Sequence, residues 1–344
     1  MNSVNAAETV GGFYRPVTIG SLTLPGNIFL APVAGYSDRS FRSICVDWDA
    51  DFTYTEMVSS EAYIRNSVKT EKLIARAYNE RRYAVQIFGA NPDFMAETAV
   101  RIIERYHPEC IDINAGCPMP KITKTGAGSA LMRKPEKLYA VVKAVTEAVG
   151  KTEAAVPVTV KIRSGWSQNE LTWKEAAAAA VDAGAAALTI HPRTCVQCYS
   201  GTADWDILAQ LVQLMRGRVP VFGSGDLFSP QAAYDMLSST QCAGVMFARG
   251  AMGNPFIFRQ TRELLQIGAY SEITPADKIG TAKKELMLLC EEAGEQVACR
   301  EMRKRFAAYT KGIAGGAKLR EQLVQASSIQ DYERILENFS LQAV

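Results

Sequence analysis

With 344 residues, 48% of them hydrophobic, the chain holds enough material for one large domain, or one large and one small. Its 38 basic and 36 acidic side chains leave a net charge of +2, too even a balance to argue nucleic-acid binding from the total. No apolar run reaches the length of a membrane span, residues 1–10 show no apolar leader core, and eight cysteines at scattered spacings suit reduced thiols in the cytoplasm.

Short runs rich in Val and Ile, bounded by Gly and Pro, recur at 28–33, 52–57, 83–88, 110–114, 156–162, 187–191, 219–223 and 244–247. Such runs suit strands buried on both faces. Helices are expected between them. Segment 91–106 opens Asn91-Pro92-Asp93, 135–149 and 171–183 space apolar residues three and four apart, and 230–237 follows a Ser229 cap. Eight strand–helix units are the content of a closed (β/α)8 TIM barrel. An open doubly wound sheet would have fewer units and a GxGxxG first turn, where this chain has Ala31-Pro32-Val33-Ala34-Gly35. Beyond residue 258 the rhythm stops. Segments 278–292, 299–311, 317–325 and 329–338 read as helices, and no strand is evident after 275. The expected organisation is a catalytic barrel over 1–270 and a small C-terminal helical domain over 271–344.

In such barrels the chemistry stands at the C-terminal ends of the strands. The first strand ends in small residues, Pro32, Val33 and Ala34, against which a flat ring can lie. The third carries Gln86, whose amide offers a donor and an acceptor together, the match for an edge of alternating C=O and N–H. The fourth delivers Asp112, Asn114 and a thiol, Cys117, in a rigid Gly-Cys-Pro turn. The fifth ends Lys161-Ile162-Arg163. An unpaired buried ammonium is costly, so Lys161 is expected to hold an anionic or electron-rich ring. The sixth ends in His191, either a core histidine or a site residue. The last two end Ser224-Gly225-Asp226 and Ala248-Arg249-Gly250, glycine turns with an arginine that suit a phosphate. A phosphate corner, an imide-reading amide and a lysine beside a ring together suit a flavin mononucleotide across the barrel mouth. Beside a hydride donor, a thiol protonated at neutral pH can act as general acid. Cys195 and Cys198 form one CxxC, but no second pair completes a zinc site, so no metal is expected.

These residues resemble the tRNA-dihydrouridine synthases, flavoenzymes that reduce C5=C6 of uridines in the tRNA D-loop. The likeness runs from about residue 15 to 325 and is carried by Ala31-Pro32-Val33-Ala34-Gly35-Tyr36-Ser37-Asp38, Gln86-Ile87-Phe88-Gly89 and Asp112-Ile113-Asn114-Ala115-Gly116-Cys117-Pro118. Further matches are Gly128-Ser129-Ala130-Leu131, Lys161-Ile162-Arg163-Ser164-Gly165-Trp166, and His191-Pro192-Arg193-Thr194 with Gln197, Tyr199, Gly201 and Ala203-Asp204-Trp205. The B-type bacterial subgroup is the nearest in appearance. The resemblance implies flavin contacts at Pro32, Val33, Ala34, Gln86, Lys161, His191, Ser224, Gly225, Asp226, Ala248 and Arg249. It implies Cys117 as proton donor to C5, hydride transfer from flavin N5 to C6, Asn114 and Arg163 near the substrate uridine, and NADPH as reductant. Three positions depart from the family's habit: Val33 for Met, Ser224 for Asn and Ala248 for Gly.

RNA contact follows from local charge. Arg300, Arg303, Lys304, Arg305, Lys311, Lys318 and Arg320 crowd one stretch of the tail. Arg300, Arg303 and Lys304 are the expected tRNA contacts there, although such a run is also the composition of a solvated helix face. Lys121, Lys124, Arg133 and Lys134 make a second basic group near Cys117, and Arg65, Lys69, Lys72, Arg76, Arg81 and Arg82 a third. Two readings compete with a tRNA-modifying enzyme. One is an FMN barrel acting on a free small molecule, as dihydroorotate dehydrogenases and old-yellow-enzyme relatives do; the other is an RNA-binding module without catalysis. The sequence does not fix which uridine is modified, the choice between NADPH and NADH, or the oligomeric state, for which a monomer is the expectation.

Overall fold

The computed structural model describes residues 12–342, so the reading of residues 1–10 lies outside the described residues. A hairpin comes first, β1 (Val17–Ile19) paired antiparallel with β2 (Leu22–Leu24). All eight expected strands follow: β3 (Ile28–Leu30), β4 (Phe52–Tyr54), β6 (Tyr83–Phe88), β7 (Cys110–Ala115), β8 (Val158–Gly165), β9 (Ala187–Thr194), β10 (Val221–Gly223) and β11 (Gly244–Phe247). The two-residue β5 (Val58–Ser59) lies along β6. Each of the eight pairs in parallel with its neighbours, and β11–β3, β3–β4 and β4–β6 pairings close the ring. Helices follow the strands around the outside, among them Pro92–Tyr106 with its Asn91 cap, Pro135–Val149, Trp173–Asp182, Trp205–Met215 and Pro230–Thr240. This is the TIM barrel.

The side-chain alternation of the strands divides the core in two. Ile111, Ile113, Val160, Ile162 and Ile190 face outward into the helix layer. Phe29, Phe52, Tyr54, Ala84, Cys110, Phe222 and Met246 fill the barrel interior, together with Ile19 and Leu24 of the hairpin. The hairpin therefore floors the barrel and leaves its opposite end to chemistry. It is absent from the eight expected runs, although Gly20-Ser21 between two alternating triplets is a two-residue turn signature. β8 and β9 run three residues past their expected ends, because Cys195 and Val196 continue the ladder by donating to the carbonyls of Gly165 and Trp166 at 2.9 and 3.0 Å.

The tail forms four helices, Pro275–Ala293, Glu295–Tyr309, Gly316–Leu323 and Ile329–Gln342. The first begins three residues before its expected start, since Thr274 and Asp277 form a reciprocal capping box ahead of Pro275. Leu286, Met302, Phe306, Leu323, Tyr332 and Leu336 make a second core, in which Phe306 stacks on Tyr332 at 4.7 Å. Phe256 and Trp48 of the barrel belong to that same core. A charged seam joins the two bodies. Arg305, 2% exposed at its side chain, pairs with Glu285 of the tail and Asp38 of the barrel, and the Tyr309 hydroxyl donates to Glu285 at 2.6 Å. Lys284 meets Asp47 at 2.7 Å, and the Ser40 hydroxyl donates to Glu292 at 2.8 Å.

Candidate active site

A cavity of about 300 Å³ opens at the C-terminal end of the barrel. Every barrel residue expected to meet flavin or uridine lines it, and of the strand-end residues named above Asp112 does not: Pro32, Val33 and Ala34 lie beyond β3; Gln86 on β6; Asn114 and Cys117 at β7; Lys161 and Arg163 on β8; His191 on β9; Ser224, Gly225 and Asp226 beyond β10; Ala248 and Arg249 beyond β11. The register explains the convergence. Asn114 stands opposite Lys161 and Arg163 opposite His191 in adjacent strands, so inward positions at one height meet across the ladder.

The turn bearing Cys117 is tied at both its polar groups. Asn114 Oδ1 accepts from the N–H groups of Gly116 and Cys117 at 3.1 and 2.8 Å. The Cys117 carbonyl accepts from the Ser129 N–H at 3.0 Å and the Ser129 hydroxyl at 2.9 Å. Gly128 at φ +60° allows this close approach; a Cβ there would lie 2.7 Å from the Cys117 carbonyl oxygen. Burial pushes the Cys117 thiol above its ordinary value of 9.0, so it carries its proton at neutral pH.

Arg163 is buried and already committed. Its Nε donates to the Gly116 carbonyl at 2.7 Å, and Nη1 donates to the carbonyls of Thr194 and Cys198 at 3.0 Å each. It braces the Cys117 turn against the loop after β9, which limits what it can offer a substrate. Lys161 lies beside it. Burial first and Arg163 second push the lysine down to about 8, with Asp112 opposing the shift. His191 is pushed down to about 2, by burial and then by Lys161, Arg163, Arg193 and Arg249. Arg193 Nη1 lies 3.1 Å from His191 Nε2, and an arginine can only donate. The imidazole is therefore neutral, accepts at Nε2, and carries its hydrogen on Nδ1.

At the far wall Asp226 Oδ2 accepts from Arg193 Nη2 at 2.8 Å and the Ala203 N–H at 2.7 Å, and Oδ1 lies 3.6 Å from Arg249. The Asp226 carboxylate thereby orients two arginines at the corner where the cofactor contact is expected. Arg249 stacks over the rings of Tyr199 and Phe228, with centroids at 4.4 and 5.2 Å. A Cβ at Gly250 would collide with the Leu227 carbonyl, and one at Gly225 would lie 2.7 Å from the His191 ring. Both glycines are required by close packing around this corner. Met57, Met119 and Phe228 also line the cavity and were not read as site residues: Met57 ends the expected run 52–57 but lies beyond the strand, which stops at Tyr54, and Met119 and Phe228 lie in segments that no strand periodicity marks.

Arg300, Arg303 and Lys304 are not among the cavity-lining residues. Arg300 is exposed, Arg303 Nε donates to the Ala326 carbonyl at 2.9 Å, and Lys304 pairs with Glu301 at 2.7 Å and reaches the Gly35 carbonyl at 3.2 Å. Arg305 and Arg320 are likewise held, by the ion seam and by the Thr310 carbonyl at 3.0 Å. Arg76 of the third basic group pairs with Glu109 at 3.0 Å.

The barrel is shared with solved structures at low identity. Dihydroorotate dehydrogenase from Eimeria tenella superposes with a TM-score of 0.54 at 14% identity, covering 72% of this chain and 82% of that one. Histamine dehydrogenase from Rhizobium sp. 4-9 gives 0.53 at 14%, covering 80% of this chain and 51% of that longer one. Sequence relatives lie far nearer. The probable tRNA-dihydrouridine synthase of Treponema pallidum is 62% identical over 325 residues, 94% of this chain and 96% of the relative. The tRNA-dihydrouridine synthase B of Pseudomonas aeruginosa is 34% identical over 307 residues, 89% of this chain and 90% of the relative. The family model described as dihydrouridine synthase matches residues 29–344. With strand-end residues, barrel and nearly full-length likeness in agreement, the chain belongs to the dihydrouridine synthase family.

Proposed function

We propose that the protein is an FMN-dependent oxidoreductase that uses NADPH to reduce the C5=C6 bond of D-loop uridines in tRNA, with Cys117 supplying a proton. The observation that carries this reading is the Cys117 turn: a protonated thiol held at the cavity wall by Asn114 and Ser129, within the same cavity as Lys161 and Gln86.

The residues present fit the flavin. Arg249, Gly225 and Gly250 form a corner where no additional Cβ could stand, suited to a phosphate. Gln86 presents an amide edge, and the depressed Lys161 ammonium gains from an anionic neighbour. Pro32, Val33, Ala34 and Ala248 give flat apolar walls, with Ser224 and His191 adding polar contacts. The bound flavin would supply hydride chemistry at the cavity, drawing its reducing equivalents from NADPH. This chain's own groups hold the ring, exclude water from it, and keep a proton on Cys117 Sγ. Asn114 lies 8% exposed above Gln86, where a uracil edge would meet it. A uridine in folded RNA must leave its stack to reach this depth.

The tail and the rim would take the RNA backbone. Arg300, Lys311 and Lys318 in the tail are exposed, as are Lys121, Lys124, Arg133 and Lys134 beside the Cys117 turn. Because Arg303 and Lys304 already have protein partners, Arg300, Lys311 and Lys318 are the better candidates for phosphate contacts. Replacing these three by Glu together is expected to weaken tRNA binding at least about tenfold and to flatten its salt dependence, with bound flavin unchanged. Unaltered affinity and salt slope would remove the tail from the interface.

Flavin binding supplies a pH test. Lysine is charged below its pKa, so the Lys161 ammonium is lost as pH rises through about 8. FMN affinity, followed by flavin fluorescence quenching on titration of apoprotein, should weaken above that pH. Lys161→Ala should bind more weakly at neutral pH and lose the pH-dependent fall. Protein that stays colourless after reconstitution with FMN would sink the cofactor assignment.

A further inference from the structure

One carboxylate sits between the apolar floor of the barrel and the residues at its mouth. Asp112 is 1% exposed on β7 and is not among the residues lining the cavity. Its Oδ1 accepts from the Thr159 hydroxyl at 2.6 Å and its Oδ2 from Gln86 Nε2 at 2.6 Å. Burying a carboxylate is costly, and the proposed reaction makes no use of this one as acid or base.

Its effect lies in the direction of the hydrogen bonds above it. Because Gln86 Nε2 points to Asp112, Gln86 Oε1 faces Asn114 and accepts from its Nδ2 at 2.9 Å. That turns Asn114 Oδ1 toward the N–H groups of Gly116 and Cys117, at 3.1 and 2.8 Å. Each amide has one donor end and one acceptor end, so the orientation of the first fixes that of the second. A main-chain N–H can only donate, and an ionised carboxylate can only accept. The two ends of the relay thus demand one arrangement. With a group at position 112 that can donate, the amides gain a second arrangement, in which Asn114 presents Nδ2 to the Cys117 N–H and the turn loses its tie. Burial pushes the Asp112 carboxyl up to about 6, against the hydrogen bonds from Thr159 and Gln86 and the Lys161 charge, which leaves it ionised at neutral pH.

We propose that Asp112 is a positioning residue whose carboxylate sets the orientation of the Gln86 and Asn114 amides and thereby holds the Cys117 turn for proton delivery. This rests on the reading of Cys117 as proton donor. Thr159 does not remove the ambiguity in Asp112→Asn: its hydroxyl also neighbours Cys110 Sγ at 3.6 Å, so a new N–H donor competes there.

The test uses the flavin-loaded protein and Asp112→Asn, which keeps the side-chain volume. Reoxidation of the reduced protein by unmodified tRNA should slow about 10- to 100-fold, the cost of a misplaced reacting group. Reoxidation by dioxygen, measured per bound flavin, should stay within a few-fold of wild type. A ratio of the two rates that does not move overturns the proposal. In a Cys117→Ala background Asp112→Asn should add no further loss, because the two act in series; full additivity overturns it. A second readout needs no turnover. Labelling of Cys117 by iodoacetamide, resolved by peptide mass spectrometry, should be faster in Asp112→Asn as the turn loosens. The double variant Asp112→Asn/Gln86→Glu moves the carboxylate one link along, so that position 86 again only accepts from Asn114, and labelling should return toward the wild-type rate. Unchanged labelling in the single variant, or no return in the double, overturns the relay. A Cys117→Ala protein that reoxidises normally with tRNA would instead count against the proton-donor reading, while labelling still judges the relay.

Discussion

Cys117→Ala is expected to slow reoxidation of the reduced protein by unmodified tRNA by about 10²–10⁴-fold, the usual contribution of a general acid. Flavin binding and reduction by NADPH should change little, since the proposed phosphate corner and ring contacts lie on β6, β8 and β9 and in the loops after β3, β10 and β11. Cys117→Ser should recover little, because a serine hydroxyl is a far weaker acid than a thiol. His191 is a poor substitute despite lining the same cavity. Its neutral imidazole is held by the surrounding cations and has no ammonium-like proton to give near neutral pH. Rapid mixing of reduced variant with tRNA checks this; a rate within a few-fold of wild type would move the acid to another group.

Arg305→Ala is expected to cost about 3–5 kcal/mol of stability, the range for breaking a buried ion pair and leaving its partners uncompensated. Arg305 is the only cation pairing with both Glu285 and Asp38 among the described ion pairs, and its guanidinium also lies 4.8 Å from the Tyr36 ring. Arg305→Lys keeps the charge but loses the fork that spans two carboxylates, so it should lie between wild type and alanine. Urea unfolding measures both; a loss below about 1 kcal/mol for alanine would mean the seam is not a structural joint. By the same reasoning residues 1–270 alone would expose Phe256 and Trp48 and strand Asp38 without its arginine. That fragment is expected to be insoluble or unstable on expression. The seam also ends on the loop Gly35–Asp38, directly after the cavity-lining Pro32, Val33 and Ala34, so the tail bears on the site as well as carrying the proposed RNA contacts.

The barrel was legible because its strands are buried on both faces and read as unbroken Val- and Ile-rich runs between Gly and Pro. The site was legible because inward polar residues in such runs, Gln86, Asn114, Lys161 and His191, violate the pattern and so announce themselves. What escaped depended on pairings across long stretches of chain. Nothing near Arg305 in sequence indicates that its partner is Asp38, 267 positions away, so a buried structural arginine read as part of an RNA-binding run. Nor does the Ser224-Gly225-Asp226 turn show in sequence that the Asp226 carboxylate pairs with Arg193 from the preceding strand. The hairpin Val17–Leu24 had a turn signature but no barrel role until its Ile19 and Leu24 were seen filling the floor.

The most direct measurement is incubation of the FMN-loaded protein with NADPH and tRNA from cells lacking dihydrouridine, followed by nuclease digestion and mass spectrometry. Assignment as a tRNA-dihydrouridine synthase predicts a D-loop fragment heavier by two hydrogens, with NADPH consumed in step. Protein that oxidises NADPH and reduces free uracil or another small molecule while leaving the tRNA fragments at their original mass would contradict it.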